Sequence, residues 1–367
     1  MKKIFVTLMV AATQLAWAQD IVVGQSVALS GASADIGRDM RDGALALFAR
    51  VNASNVLGRP IQLVTLDNAN DRKRAAENTK LLLDKHKAVA LFGYNSATAS
   101  LDALPLAAKD RVLFFAPFSG SLSLRSHPNV YTVRASYQDE AAKILQSKRE
   151  IGSLKTVVLS YDDEVGHGNY GAVSAAYAAA GMAKPGGVFI KRGAPLDKTI
   201  AEALLKDAPH YVFVTTQHPP VADYLKIASD RGSPVPVAAL SFVNPDELAE
   251  GIGDAARGTV VAQVVPPPRA SSHVLRPVVK ECADALEAYN GAKLNYTSLE
   301  SCIAAKALVA VLKKAGPKVT REGLLSAMGS LGRVDLNGYV LNYTNGSHHG
   351  SSFVDLTILS RGNRFVQ

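Results

Sequence analysis

The chain has 367 residues, 48% hydrophobic and 20% charged, which excludes a disordered or collagen-like polymer. At about 150 residues per domain, the length predicts two domains, each able to bury its own core. Lys plus Arg number 40 and Asp plus Glu 32, a net charge of +8 without any Lys/Arg tract. That is a diffuse basic surface and not a nucleic-acid-binding arm, so no nucleic-acid partner is expected.

The N-terminus opens with Lys2 and Lys3 and an apolar run over 4–12. The run is too short to span a bilayer, which takes about 20 residues. Ala16-Trp17-Ala18 is a small-x-small site, so residues 1–18 are predicted to be a signal peptide cleaved after Ala18. No cysteine follows the run to carry a lipid, and no later stretch is long and apolar enough to span a membrane. The expected product is an exported, periplasmic, monomeric chain without Trp17, its only tryptophan.

From residue 21 onward, strand and helix patterns alternate. Strands are predicted over 21–29, 61–66, 88–92, 112–116, 130–133, 156–161, 187–191, 211–215, 235–240 and 258–265. Helices are predicted over 40–51, 75–85, 97–109, 138–151, 168–180, 198–205, 221–230 and 245–251. Continuous apolar strands between amphipathic helices mean parallel sheets covered on both faces. The count is too large for one doubly wound sheet, so two are expected side by side. Pro266-Pro267-Pro268 breaks the pattern. Helices follow over 275–289, 298–314 and 321–328, then strands over 338–341 and 353–359. The predicted class is α/β: two doubly wound, Rossmann-like lobes joined by a hinge that the chain crosses more than once. Cys282 and Cys302 fall in neighbouring helices, and export permits a disulfide. Their spacing leaves a bonded pair and two buried thiols equally open.

Ligands of open α/β sheets bind beyond the carboxyl ends of the strands. There the first loop runs from Leu29 through Ser30 and Gly31 to Gly37, rich in Gly and Ser but lacking the G-x-G-x-x-G dinucleotide spacing. The loop after the third strand holds Gly93, Tyr94, Asn95, Ser96, Ala97 and Thr98, and the loop after the fourth holds Phe118, Ser119, Gly120 and Ser121. Their hydroxyls suit helix caps and carboxylate groups alike. In the second half, Asp162, Asp163 and Glu164 end a strand, Gln217 and His218 follow another, and Ser241 and Phe242 a third. The acids lack EF-hand spacing, and His348-His349 has no third ligand, so no metal is expected. No G-x-S-x-G, Walker A, H-E-x-x-H or zinc cysteine motif is present, and no cofactor is predicted.

The ordered set of loops resembles the periplasmic substrate-binding proteins of branched-chain amino-acid-type ABC transporters, the Leu/Ile/Val-binding group with the type I fold. The resemblance spans the mature chain. It rests on 28–31 with Gly37 and Gly43, Asn52 with 57–59, Asp67, 93–98, 116–120, 134–137 with Glu140, and 161–163 with Gly166. The stretches 241–243, 253–256 with Gly258, and 298–300 complete it. It implies a small-molecule ligand closed between two lobes, a membrane permease as partner and no catalysis. Lobe one would combine 20–136 with 269–342, and lobe two 137–268 with 343–367.

Amino-acid binders of that group hold the carboxylate after the third and fourth strands, here Ser96, Ala97, Thr98, Phe118, Ser119, Gly120 and Ser121. Ser30, Tyr94, Tyr137, Asp163, Gln217, Ser241 and Phe242 complete the expected site. The group holds the ammonium with an acid of lobe two, whose place is taken by Ser241. Ile36 and Val165 stand where aromatics are common. The expected ligand is therefore a polar or carboxylate-bearing molecule without an obligatory ammonium. The alternatives are an exported hydrolase-like enzyme using Asp162, Asp163 or Glu164, and a ligand-sensing domain.

Overall fold

The computed structural model describes residues 20–232, 235–269, 276–360 and 365–366. The predicted leader and its cleavage site lie outside the described residues.

Five strands make the first sheet: β1 (Ile21–Val27), β2 (Ile61–Asp67), β3 (Ala90–Phe92), β4 (Leu113–Phe115) and β5 (Val130–Tyr131). All pairings are parallel, in the order β2-β1-β3-β4-β5. β3 and β4 are buried at every position, as their unbroken apolar runs require. Around them lie α1 (Ala34–Ala53), α2 (Arg72–Asp84), α3 (Ala97–Ser100), α4 (Leu104–Lys109) and α5 (Leu122–Arg125).

The chain then enters a second sheet through α6 (Tyr137–Glu150), whose start carries a capping box between Ser136 and Asp139. β6 (Thr156–Tyr161), β7 (Gly186–Ile190), β8 (Tyr211–Val214), β9 (Val237–Ala239) and β10 (Val260–Gln263) alternate with α7 (Glu164–Ala179), α8 (Lys198–Leu205), α9 (His218–Asp230) and α10 (Pro245–Ile252). Next come α11 (Pro277–Asn290), α12 (Tyr296–Ala315) and α13 (Arg321–Gly329), then an antiparallel ribbon of β11 (Arg333–Asp335) and β12 (Val340–Asn342). These three helices share one core with the first sheet, in which Phe48, Phe92 and Phe115 meet Leu286, Leu308 and Met328. β13 (Asp355–Leu359) and β14 (Phe365–Val366) finally return to the second sheet, in the order β14-β13-β10-β9-β8-β6-β7. Two α/β lobes result, with the strands and helices of each drawn from separate stretches of chain.

Each lobe seats the helix that follows its first strand directly on the end of that strand. A Cβ on Gly37 would lie 1.8 Å from the Ala28 carbonyl oxygen, and one on Gly166 would lie 2.1 Å from that of Tyr161. No other residue fits at either place. Gly37 and Gly43 also explain why α1 begins earlier than the predicted 40–51: glycine depresses helix propensity where close packing demands it.

Three other expectations change. The predicted helix 97–109 is split into α3 and α4, because Pro105 cannot donate a helix hydrogen bond and crowds the turn before it. β13 runs antiparallel to β10, with Val260 opposite Ile358, so the second sheet is mixed. Cys282 and Cys302, open in the sequence, are joined in a disulfide between α11 and α12.

Candidate functional site

In both sheets the strand order reverses next to the first strand of the lobe, and the carboxyl ends there face the other lobe. The cleft between them encloses about 540 Å³, counting its mouth toward solvent. Lobe one lines it with Ser33 and Ile36 at the start of α1, Asn95 to Thr98 after β3, and Phe118 and Ser119 after β4. Lobe two contributes Tyr137, Tyr161, Val165, Asn169, Arg192, Thr215, Gln217 and Phe242.

The hydroxyl loops are rigid because they also build secondary structure. Ser96 caps α3, accepting from the Ala99 amide at 3.2 Å. The Ser119 hydroxyl lies 3.2 Å from the Tyr137 hydroxyl, which ties the lobe-one wall to the first residue of α6. The Asn95 side-chain oxygen accepts from the Ala28 amide at 3.2 Å and locks the first loop to the third. The Thr98 hydroxyl makes no hydrogen bond to the described residues. On the far wall, Tyr137 and Phe242 pack edge to face with centroids 5.5 Å apart. The lobes touch where Gln217 Nε2 donates to Ser33 Oγ at 3.3 Å and Arg72 faces Glu164 at 3.7 Å.

Arg192 is the only charged side chain among the described residues lining the cleft. Its Nε and Nη2 donate to Asp163 Oδ2 and Oδ1 at 2.8 and 3.2 Å, and its guanidinium carbon lies 3.9 Å from the Tyr161 ring centroid. Burial alone would raise the Asp163 carboxyl, but Arg192 and the Gly166 amide outweigh it and hold it below the ordinary carboxylate value. The pair is therefore ionised and neutral in sum. Among the described residues no carboxylate lines the cleft.

Eight of the residues expected from sequence meet in this cleft: Ser96, Ala97, Thr98, Phe118, Ser119, Tyr137, Gln217 and Phe242. Six do not line it. Ser30 is exposed and donates to Asp67 Oδ2 at 2.7 Å. Tyr94 is fully buried inside lobe one, its hydroxyl 2.9 Å from Thr79 Oγ1 and its ring against Phe114. Gly120 is hidden behind Tyr137, whose ring would lie 2.7 Å from a Cβ there. Ser121 is buried, with its hydroxyl 2.9 Å from that of Ser123. Asp163 caps α7 and clamps Arg192. Ser241 turns away from the cleft: its amide and hydroxyl donate to Glu140 at 2.8 and 2.9 Å.

The lining residues absent from the expected set include Ser33, Tyr161, Asn169, Arg192 and Thr215. Arg192 had a usable signal, since it follows the carboxyl end of a predicted strand. Asn169 lies on α7 four residues after Val165, so only the helix phase could have revealed it. The acids Asp162, Asp163 and Glu164 do not converge: Asp162 pairs with His167 at 3.0 Å, Asp163 with Arg192, and Glu164 faces Arg72. Among the described residues no cluster suited to a metal ion is present.

Behind the cleft sits a buried ionic cluster. Arg134 is fully buried, with Nη2 3.5 Å from Glu140 and Nη1 3.4 Å from Glu300, and it donates to the Ser241 hydroxyl. Its guanidinium lies 4.7 Å from the Phe118 ring centroid. Burial raises both glutamates, with the Arg134 charge opposing it, and Glu300 is pushed up to about 7.

Residues 20–356 match the family described as Periplasmic binding protein. The chain belongs to that family. It is a periplasmic solute-binding protein of the kind that serves ABC importers, with a small-molecule ligand. Among curated proteins, no sequence matches the chain. A solved structure of a possible leucine/isoleucine/valine-binding protein from Rhodopirellula baltica SH 1 is similar at 26% identity and TM-score 0.89, covering 96% of this chain and 97% of that one. A substrate-binding periplasmic protein from Ralstonia solanacearum is similar at 28% identity and TM-score 0.87, covering 95% and 100%. A branched-chain amino acid ABC transporter protein from Thermus thermophilus, solved with bound valine, shares the fold at 17% identity and TM-score 0.83, covering 95% of each chain.

Proposed function

We propose that this binding protein takes a small organic carboxylate with no obligatory ammonium group. The observation that carries the reading is the absence of an acid: among the described residues lining the cleft there is no Asp or Glu, and the one charged side chain is that of Arg192. A buried ammonium without an acid partner is costly. The hydroxyls of Ser96, Thr98 and Ser119 supply donors for the carboxylate from lobe one. Asp163 does not fill the role of the missing acid, because Arg192 already occupies both its oxygens.

Binding works by closure. Lobe one, 20–136 with 269–342, and lobe two, 137–268 with 343–367, rotate about segments near Ser136, 266–268 and 343–345. A ligand touching both walls stabilises the closed form by its extra contacts there. The mature chain acts as a monomer after cleavage at Ala18 and has no business with nucleic acid. Calorimetry with leucine, valine and their deamino acids tests the ligand class. The deamino acids are expected to bind more tightly; strong binding of leucine with a far weaker deamino counterpart would overturn the reading.

A further inference from the structure

We infer that Arg192 and Asn169 form a second reading point on the lobe-two wall, which selects acids bearing a neutral hydroxyl group over plain acids, dicarboxylates and amino acids. This rests on the carboxylate reading above and adds to it what the rest of the ligand must carry.

One edge, one face and the remaining nitrogen of the Arg192 guanidinium have distinct fates. The Nε–Nη2 edge is spent on Asp163, and one face lies on the Tyr161 ring. Nη1 makes no hydrogen bond to the described residues, and the side chain lines the cleft. Asp163 also accepts from the Gly166 amide at 2.8 Å, so the residue that orients Arg192 also starts α7, the helix that carries Asn169. Asn169 is only 5% exposed and lines the same cleft, and its side-chain oxygen, itself shielded from solvent, has no hydrogen-bond partner among the described residues. A buried acceptor left empty in a protein interior is rare and unfavourable, so the Asn169 amide gains by turning about its terminal torsion to meet a ligand donor in the cleft.

Charge then chooses the group. An ammonium would meet Arg192 and find no acid. A second carboxylate would leave Asp163 and itself sharing one guanidinium, a net negative charge in a closed site. A hydroxyl adds no charge. It can accept from Nη1 and offers the proton that the Asn169 oxygen lacks. An oxo group can serve only Nη1, and a plain acid serves neither.

The test is calorimetry on the mature protein with two series of probes. One is 4-methylpentanoate with its 2-hydroxy, 2-oxo and 2-amino forms; the other is 3-phenylpropanoate with the same three. Methylsuccinate is the dicarboxylate control. In the series that fits, the hydroxy acid should bind at least tenfold more tightly than the plain acid, with the oxo acid between. In Asn169→Leu, which leaves the Arg192–Asp163 pair intact, and in Arg192→Gln, that ratio should fall below twofold. A merely structural role would weaken both acids together and keep the ratio, which would overturn the inference. So would equal binding of hydroxy and plain acids, or tighter binding of leucine, phenylalanine or methylsuccinate, by the wild-type protein. If no acid of either series binds, the carboxylate reading itself fails and the inference falls with it. Circular dichroism melts identify any variant that does not fold, and either variant alone suffices.

Discussion

Glu300 and Glu140 share one buried arginine, and two carboxylates cannot both be well served by a single cation. With its carboxyl held near 7 in the fold against an ordinary value of 4.5, Glu300 binds its proton more tightly folded than unfolded. Stability should therefore be highest below the unfolded value and fall as pH rises from about 4.5 to 7, then level off. The slope is at most about 1.4 kcal/mol per pH unit from this group. Urea titrations across pH 5 to 8 should show the decline in the wild-type protein and a flatter profile in Glu300→Gln. Arg134→Met strands both acids and should cost about 3–5 kcal/mol. The sequence displayed Arg134, Glu140 and Glu300 inside its recognisable stretches but not their burial. A charged residue is assumed to be solvated until its partners are known, and here they come from α6 and α12. Ser96 was legible as both cap and ligand residue, and it is placed for both. That makes it an ambiguous probe: Ser96→Ala removes about 1 kcal/mol of capping besides any ligand contact. Thr98→Ala is cleaner. It should weaken a bound carboxylate by about 1.5–3 kcal/mol and leave the melting temperature unchanged. Equal affinity in calorimetry would take the loop out of the site.

Among the elements, α11 and α12 show where pattern reading stops. Their periodicity was plain, but whether Cys282 met Cys302 depended on the crossing of two helices, which no spacing encodes. Bonded, they close a loop with a sequence separation of 20, which stabilises the fold by about 3 kcal/mol through the unfolded chain. Both cysteines are buried in the core of lobe one. Reduction, or the double change Cys282→Ala and Cys302→Ala, should lower the unfolding free energy by about that amount. An unchanged denaturant midpoint under reductant would show that the bridge contributes nothing. The parallel strands were legible because burial on both faces leaves unbroken apolar runs. The direction of β13 was not, since a strand's apolar pattern is blind to its polarity.

At the scale of the whole molecule, the connections between lobes are stitched together. Residue 132 pairs with 348–350: the Thr132 amide donates to the His348 carbonyl and the Gly350 amide to the Thr132 carbonyl, both at 2.9 Å. The Tyr339 hydroxyl stands 2.9 Å from the Val264 carbonyl oxygen, 3.4 Å from that of Val133 and 3.1 Å from Ser351 Oγ, so it touches every connection. His348 and His349, without a metal to serve in the sequence, belong to this seam: His348 stacks on Tyr131 with centroids 4.0 Å apart. A seam so tied favours rotation as rigid bodies. Solution scattering should show a smaller radius of gyration with a saturating acid while circular dichroism stays the same; identical profiles would sink the closure mechanism. Tyr339→Phe should cost about 1–2 kcal/mol of stability and widen the unliganded distribution of lobe angles. Fluorescence can follow Tyr137 in the cleft, but not Tyr94, which is sealed inside lobe one.

The late return of the chain to both lobes has a consequence for its birth. The first sheet emerges early, yet its core is completed only by α11, α12 and α13, and the second sheet waits for β13. A nascent chain threaded N-terminus first holds two half-built cores until α13 completes the first and β13 the second. It cannot lock prematurely on the wrong side of a membrane, and a chain truncated after β10 leaves apolar faces of the first sheet bare. Pulse proteolysis of fragments ending at 263, 331 and 360 should find no protection in the first, protection of lobe one alone in the second and of both lobes in the third.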